Sequence, residues 1–171
     1  ALNQRLPEDY PAFSLSEVSR TGISIPVIAT ARKHNEYRIL IDKFPVPTEA
    51  YTTYFYHYKL DVDKMKAATS YLIGSNDFAS FCGAKAQVKN TIRTVTGIDV
   101  WRDGDIVTIR VTGTGFLYNM VRIISGTLIE VGNGQYPPER VKTILEACNR
   151  EMAGPTAPAQ GLTLMGIEFF D

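Results

Sequence analysis

An α+β fold, with a mainly antiparallel sheet packed against helices, is the class that this 171-residue sequence predicts, and three observations carry it. Residues 92–101 and 106–112 read as two strands joined at Asp103-Gly104, a strong hairpin signal, and the second alternates Val107, Ile109 and Val111 with Thr108, Arg110 and Thr112. Apolar residues recur at helical spacing in two other segments, as Val62, Met65, Ala68 and Leu72 and as Leu117, Val121, Ile124 and Leu128. A hydrophobic content of 44%, with no internal repeat, low-complexity tract or linker, is enough to bury one core in a chain of this length.

In chain order, residues 2–10 and 11–22 are polar and rich in turn formers, and residues 23–28 are a β-branched run that Pro26 limits to an edge strand. Arg32, Lys33, His34 and Asn35 interrupt, and residues 36–41 form a firmer strand that ends before Pro45 and Pro47. The aromatic crowding of residues 51–58 fits a loop with a short strand. Asp61 can cap a helix over residues 62–73, with Gly74 as its C-terminal stop. The most apolar segment, residues 116–131, predicts a central buried helix ending at Gly132. Pro138 suits the first turn of a third helix, in which Val141, Ile144, Leu145 and Cys148 share a face and beyond which lies Gly154-Pro155. Residues 162–170 close the sequence as a strand.

Composition narrows the function. The formal net charge is zero, so there is no broad positive field and any contact with nucleic acid must be local. No apolar run approaches the roughly 20 residues of a membrane span, and the first residues lack signal-peptide features, so a cytoplasmic protein without a membrane partner is expected. Cys82 and Cys148 read as reduced thiols, with a single disulfide between them as the alternative. The only histidines, His34 and His57, have no ligand or triad spacing, so no metal site is expected. Gly113-Thr114-Gly115 lacks the third glycine of a dinucleotide loop and the lysine of a P-loop, and reads as a tight strand-to-helix turn. The sequence opens on Ala1-Leu2 in place of Met, which predicts a piece of a longer polypeptide.

Arg122 is the candidate with the sharpest chemistry. It is the only charge between Arg110 and Glu130, in the N-terminal half of an apolar helix, where the macrodipole gives a cation no support. Its neighbours one turn away, Tyr118, Asn119, Ser125 and Gly126, offer no carboxylate. Two readings fit: a snorkelling or structurally paired arginine, and an arginine that holds a catalytic carboxylate supplied from elsewhere. Tyr37 likewise reads either as strand packing or, beside Arg32, Lys33, His34 and Arg38, as a surface for a stacked base near phosphates. Lys85, Lys89 and Arg93 are solvated surface on one reading and phosphate contacts on the other.

Five segments, in order, carry a resemblance. Residues 116–128, Phe-Leu-Tyr-Asn-Met-Val-Arg-Ile-Ile-Ser-Gly-Thr-Leu, resemble the F-L-x-x-M-V-R-x-x-x-G-x-L pattern of the tRNA pseudouridine synthase A family. Residues 72–81 resemble its L-x-G-x-x-D-F-x-S-F, and residues 91–95 its T-x-R-x-V. Pro155-Thr156-Ala157-Pro158 with Gly161-Leu162-Thr163-Leu164 resembles the closing P-T-A-P-x-x-G-L-x-L, and Asn3 with Leu6-Pro7 resembles an N-x-x-L-P region.

The resemblance implies the C-terminal half of an enzyme that isomerises uridine to pseudouridine in tRNA, typically in the anticodon stem-loop, without metal or organic cofactor. It assigns Arg122 to the catalytic centre as the partner of an aspartate, and Tyr37 to packing on the target base, with Leu162 or Leu164 lining the same pocket. Arg32, Arg38, Lys89 and Arg93 become the expected substrate-binding cations, tRNA the partner, and a homodimer the expected assembly. The family's aspartate lies in a G-R-T-D-A-G motif upstream of N-x-x-L-P, and this sequence does not contain it. Arg102-Asp103-Gly104 cannot replace it, because it sits in a hairpin turn without the flanking Gly, Thr and Ala. The 171 residues alone are therefore expected to be inactive, and a non-catalytic RNA-binding or dimerisation domain of the same ancestry is the alternative. Two departures concern the strand of Tyr37: no F-x-A-R precedes it, and Ile39 stands where a second tyrosine is usual.

Overall fold

The computed structural model describes residues 31–44, 46–83, 88 and 90–169. The readings made for residues 2–28, and those for Lys85 and Lys89, lie outside the described residues. The expected α+β class is what the chain adopts: the described residues form six strands in one mostly antiparallel sheet, with three helices. The strands are β1 (Ala31–Ile41), β2 (Tyr54–Tyr56), β3 (Gly74–Asp77), β4 (Ile92–Asp103), β5 (Ile106–Gly113) and β6 (Leu162–Phe169). The helices are α1 (Val62–Thr69), α2 (Met120–Gly132) and α3 (Arg140–Ala147).

Strand β1 organises the sheet. One flank pairs antiparallel with β5, from Lys33 opposite Gly113 to Leu40 opposite Ile106. The other flank is shared end to end, antiparallel with β6 along Ala31–Tyr37 and parallel with β2 along Ile39–Ile41. The sheet continues through β4 to β3, so its order is β2-β1-β5-β4-β3 with β6 beside β1. Side chains alternate across a pleated sheet. Tyr37, Ile39 and Ile41 of β1, Val107, Ile109 and Val111 of β5, and Ile98 and Val100 of β4 are buried on one face. Arg32, His34, Glu36 and Arg38, the even-numbered positions of β1, leave by the other. On that second face Glu36 lies opposite Arg110, whose guanidinium grips its carboxylate at 2.6 Å and sits 5.1 Å from the centre of the Trp101 ring.

The core lies between the first face and the helices, where Ile123, Ile124 and Leu128 of α2, Met65 of α1 and Ile144 of α3 are fully buried. The side chain of Asp61 accepts from Lys64 N at 3.1 Å and caps α1 as expected. That helix stops at Thr69 and tightens into a 3-10 turn over Ser70–Leu72. Gly74 does not terminate it: at φ +110° the residue opens β3, a strand the sequence reading did not contain, because its residues Gly-Ser-Asn-Asp show no β-propensity. Helix α2 begins at Met120, four residues later than the apolar run suggests, since Asn119 takes the left-handed conformation at φ 59° and breaks the helical path. Its glycine at 132 packs where a Cβ would fall 2.8 Å from the Met65 sulfur. In α3, Val141 and Ile144 are buried as expected, but Cys148 is the exposed residue just past the end, at φ 47°.

Candidate active site

Two residues singled out from sequence meet at one loop. Tyr37, in the middle of β1, is fully buried, with Ile109 opposite it on β5 and Leu162 opposite it on β6. Its hydroxyl donates to the carbonyl of Pro158 at 2.7 Å. Gly161 makes room for the ring: a Cβ there would lie 2.8 Å from Tyr37 Cζ and 2.9 Å from the Arg38 carbonyl. Burial pushes the Tyr37 hydroxyl well above the ordinary tyrosine range; Tyr54 adds to the shift, and the Arg122 charge opposes it. The phenol is therefore a fixed proton donor, and its ring has no exposed face, so stacking a base on it requires the surrounding side chains to give way.

Arg122, in the first turn of α2, is half-buried. Its Nε donates to the Ala157 carbonyl at 2.7 Å and its Nη1 to Asn119 Oδ1 at 3.1 Å. The Arg122 backbone carbonyl in turn accepts from Ala157 N at 3.1 Å, so helix and loop are joined in both directions. No carboxylate among the described residues reaches the guanidinium, and its remaining N–H groups have no hydrogen-bond partner there. Arg122 borders a cavity of about 160 Å³ whose walls include Asn35, Phe116, Asn119 and Leu162. Asn35 leaves the same face of β1 as Tyr37, two residues earlier, and Leu162 lies opposite Tyr37 on β6. Leu162 belongs to its wall, whereas Leu164 is 53% exposed. A second cavity, of about 240 Å³, lies where the Pro155–Pro158 segment meets Tyr54, Tyr56 and Glu130.

The expected cations are distributed unequally. Arg93 leaves β4 on the same side as buried Val95 and donates through Nη1 to the carbonyls of Asn90 and Ile92. Arg38 and Arg32 leave the opposite face of the sheet from Tyr37, and Arg32 lies 3.7 Å from Glu168. The structure thus brings Tyr37 and Arg122 together and sets Arg32 and Arg38 apart from them. Sequence reasoning missed Asn35 and Asn119. For Asn119 a signal existed, since asparagine tolerates φ > 0 better than most residues and here directly precedes a helix. Among the described residues no cluster of His, Cys, Asp or Glu could hold a metal ion, and no helix is long and apolar enough to cross a membrane.

A sequence profile described as tRNA pseudouridine synthase matches residues 68–169, which take in β3 to β6 and all of α2 and α3. The chain belongs to the tRNA pseudouridine synthase family. Within the family it is 41% identical over 169 residues to tRNA pseudouridine synthase A of Bacillus subtilis (strain 168), with 99% of this chain and 68% of that protein covered. The protein of the same name from Brevibacillus brevis is 45% identical over 175 residues, covering 98% of this chain and 68% of the relative. That of Acetivibrio thermocellus is 38% identical over 171 residues. The pseudouridine synthase match spans Arg122 and the whole loop that Arg122 and Tyr37 share.

Proposed function

We propose that this chain supplies the uridine pocket of a tRNA pseudouridine synthase, an isomerase that converts uridine to pseudouridine in tRNA, and that the catalytic aspartate comes from family sequence which these 171 residues do not span. One observation carries the reading: a half-buried arginine and a buried tyrosine hold adjacent carbonyls, of Ala157 and Pro158, while the arginine keeps uncommitted N–H groups and lines a cavity. In that arrangement Arg122 receives the carboxylate of the aspartate and holds it ionised and oriented, because an opposite charge within a few ångströms favours the charged form. The extruded uracil enters beside Asn35 and Leu162 and packs toward Tyr37 while the glycosidic bond breaks and the ring re-attaches through carbon. Backbone phosphates fall to Lys89 and to Arg93, the latter leaving β4 on the side of buried Val95; Arg32 and Arg38 contribute only where RNA wraps to the other face of the sheet. The reaction takes place in the cytoplasm, with the enzyme as a homodimer and without a metal or organic cofactor.

The test uses the longer protein that contains the G-R-T-D-A-G segment, with tRNA carrying 5-tritiated uridine. Release of tritium by the wild type and its loss by at least about 100-fold in Arg122→Ala, the scale expected when a reacting group is misplaced, support the reading. Binding of tRNA without release would instead favour a non-catalytic RNA-binding domain. Molecular mass measured against protein concentration tests the homodimer, and a constant monomer refutes it.

A further inference from the structure

The carbonyls that hold Arg122 and Tyr37 belong to an irregular segment, so something must keep them aimed. Three devices do so. Gly154 N donates to Thr127 Oγ1 of α2 at 3.0 Å. Pro155 lies so close to α2 that a Cβ on Gly126 would fall 1.8 Å from its carbonyl oxygen. The third device is Arg150. Its Nη1 donates to the carbonyls of Gly154 at 3.0 Å and Ala153 at 3.5 Å, and its Nη2 to Thr156 Oγ1 at 3.1 Å.

The base of this side chain is itself fixed. Arg150 begins a 3-10 turn capped by Asn149, whose Oδ1 accepts from Glu151 N at 3.0 Å. Asn149 N donates at 2.8 Å to Ser80 Oγ, a hydroxyl with no exposure that also donates to the carbonyl of Ile144 in α3. Arg150 forms no ion pair with a described residue; its donors go to three neutral acceptors on one loop. A planar guanidinium, unlike an ammonium, can hold several acceptors in fixed relative positions. Thr156, the last of them, is the residue before Ala157, whose carbonyl receives Arg122.

We propose that Arg150 is a positioning residue for the isomerisation: it touches neither RNA nor the reacting atoms, and it sets the Ala157 and Pro158 carbonyls that orient Arg122 and Tyr37. This rests on the function proposed above. The experiment compares Arg150→Met, Arg150→Lys and Arg150→Ala in the longer, active protein, with single-turnover rate, KM for tRNA and melting temperature measured together. Arg150→Met is expected to lower kcat roughly 10- to 100-fold with KM for tRNA changed less than about twofold, the pattern of a catalytic group displaced without loss of binding. Arg150→Lys is expected to retain an intermediate kcat, and millimolar guanidinium to restore part of the activity of Arg150→Ala. A folded Arg150→Met with unchanged kcat, or one whose loss lies in KM, overturns the assignment in favour of a purely structural role or a phosphate contact. If Arg150→Met does not fold, Arg150→Lys decides: wild-type kcat in a folded protein overturns the assignment. The two failures are distinguishable, because loss of activity in Arg122→Ala alongside wild-type Arg150 variants sinks only this inference, whereas an active Arg122→Ala sinks the pocket itself.

Discussion

The hydroxyl of Tyr37 offers the most direct check on the site at the residue scale. Tyr37→Phe leaves the Pro158 carbonyl without its donor and is expected to cost about 1 kcal/mol in urea unfolding. The pH dependence has a definite sign. A hydroxyl whose folded pKa is raised stabilises the fold fully below the unfolded tyrosine value of about 10, and that contribution drains away above it as the unfolded chain sheds the proton. Unfolding midpoints from neutral pH to pH 11 should fall more steeply for wild type than for Tyr37→Phe, and parallel curves would contradict the buried donor. Asn119 separates strain from positioning. Asn119→Gly fits the left-handed backbone at φ 59° at least as well, so stability should hold, yet Arg122 Nη1 loses its acceptor and turnover of the longer protein should fall several-fold. Unimpaired turnover in that variant would remove Asn119 from the site. Arg122 could be picked out of the sequence because a charge in an apolar helix needs a partner; the signal at Asn119, an asparagine's tolerance of φ > 0, becomes informative only once the helix is known to begin after it and not at residue 116.

The stacking of helix α2 against the Ala153–Pro158 loop sets the behaviour of the elements. Gly126→Ala places a methyl group on the Pro155 carbonyl, so either the loop or the helix must move, at a cost of at least about 1–3 kcal/mol. A midpoint shift worth less than about 0.5 kcal/mol would show that the loop is not seated as described. The periodicity of residues 120–132 and the alternation of β5 were legible, because each reports which side chains face a common core. Element ends were less so: of two glycines that look alike as helix stops, Gly132 does end α2 and also makes room for Met65, whereas Gly74 opens a strand. The four-residue β3 was invisible, since pairing with β4 and not its own composition makes it a strand. The division of the cations between the two sheet faces follows from strand register, and here the proximity in sequence of Arg38 to Tyr37 was misleading as a guide to proximity in space.

At the scale of the whole molecule, strand β1 is paired on both flanks, while among the described residues β3 is bonded only to β4 and β2 only to β1. Native-state hydrogen exchange should therefore be slowest for the amides of β1 and β5 and fastest for those of β2 and β3, and the reverse order would refute this sheet topology. The sheet also imposes an order in time. The bond from Tyr37 to Pro158 closes a separation of 121 residues, and β6 reaches β1 only after the other described strands and helices have been made. A ribosome part-way through this message thus carries the tyrosine and later the arginine, but not the loop that aligns them. Premature termination anywhere in that interval yields polypeptide in which the β1 edge lacks β6 and the tyrosine and arginine are not aligned, so competence arrives only with the last segment described.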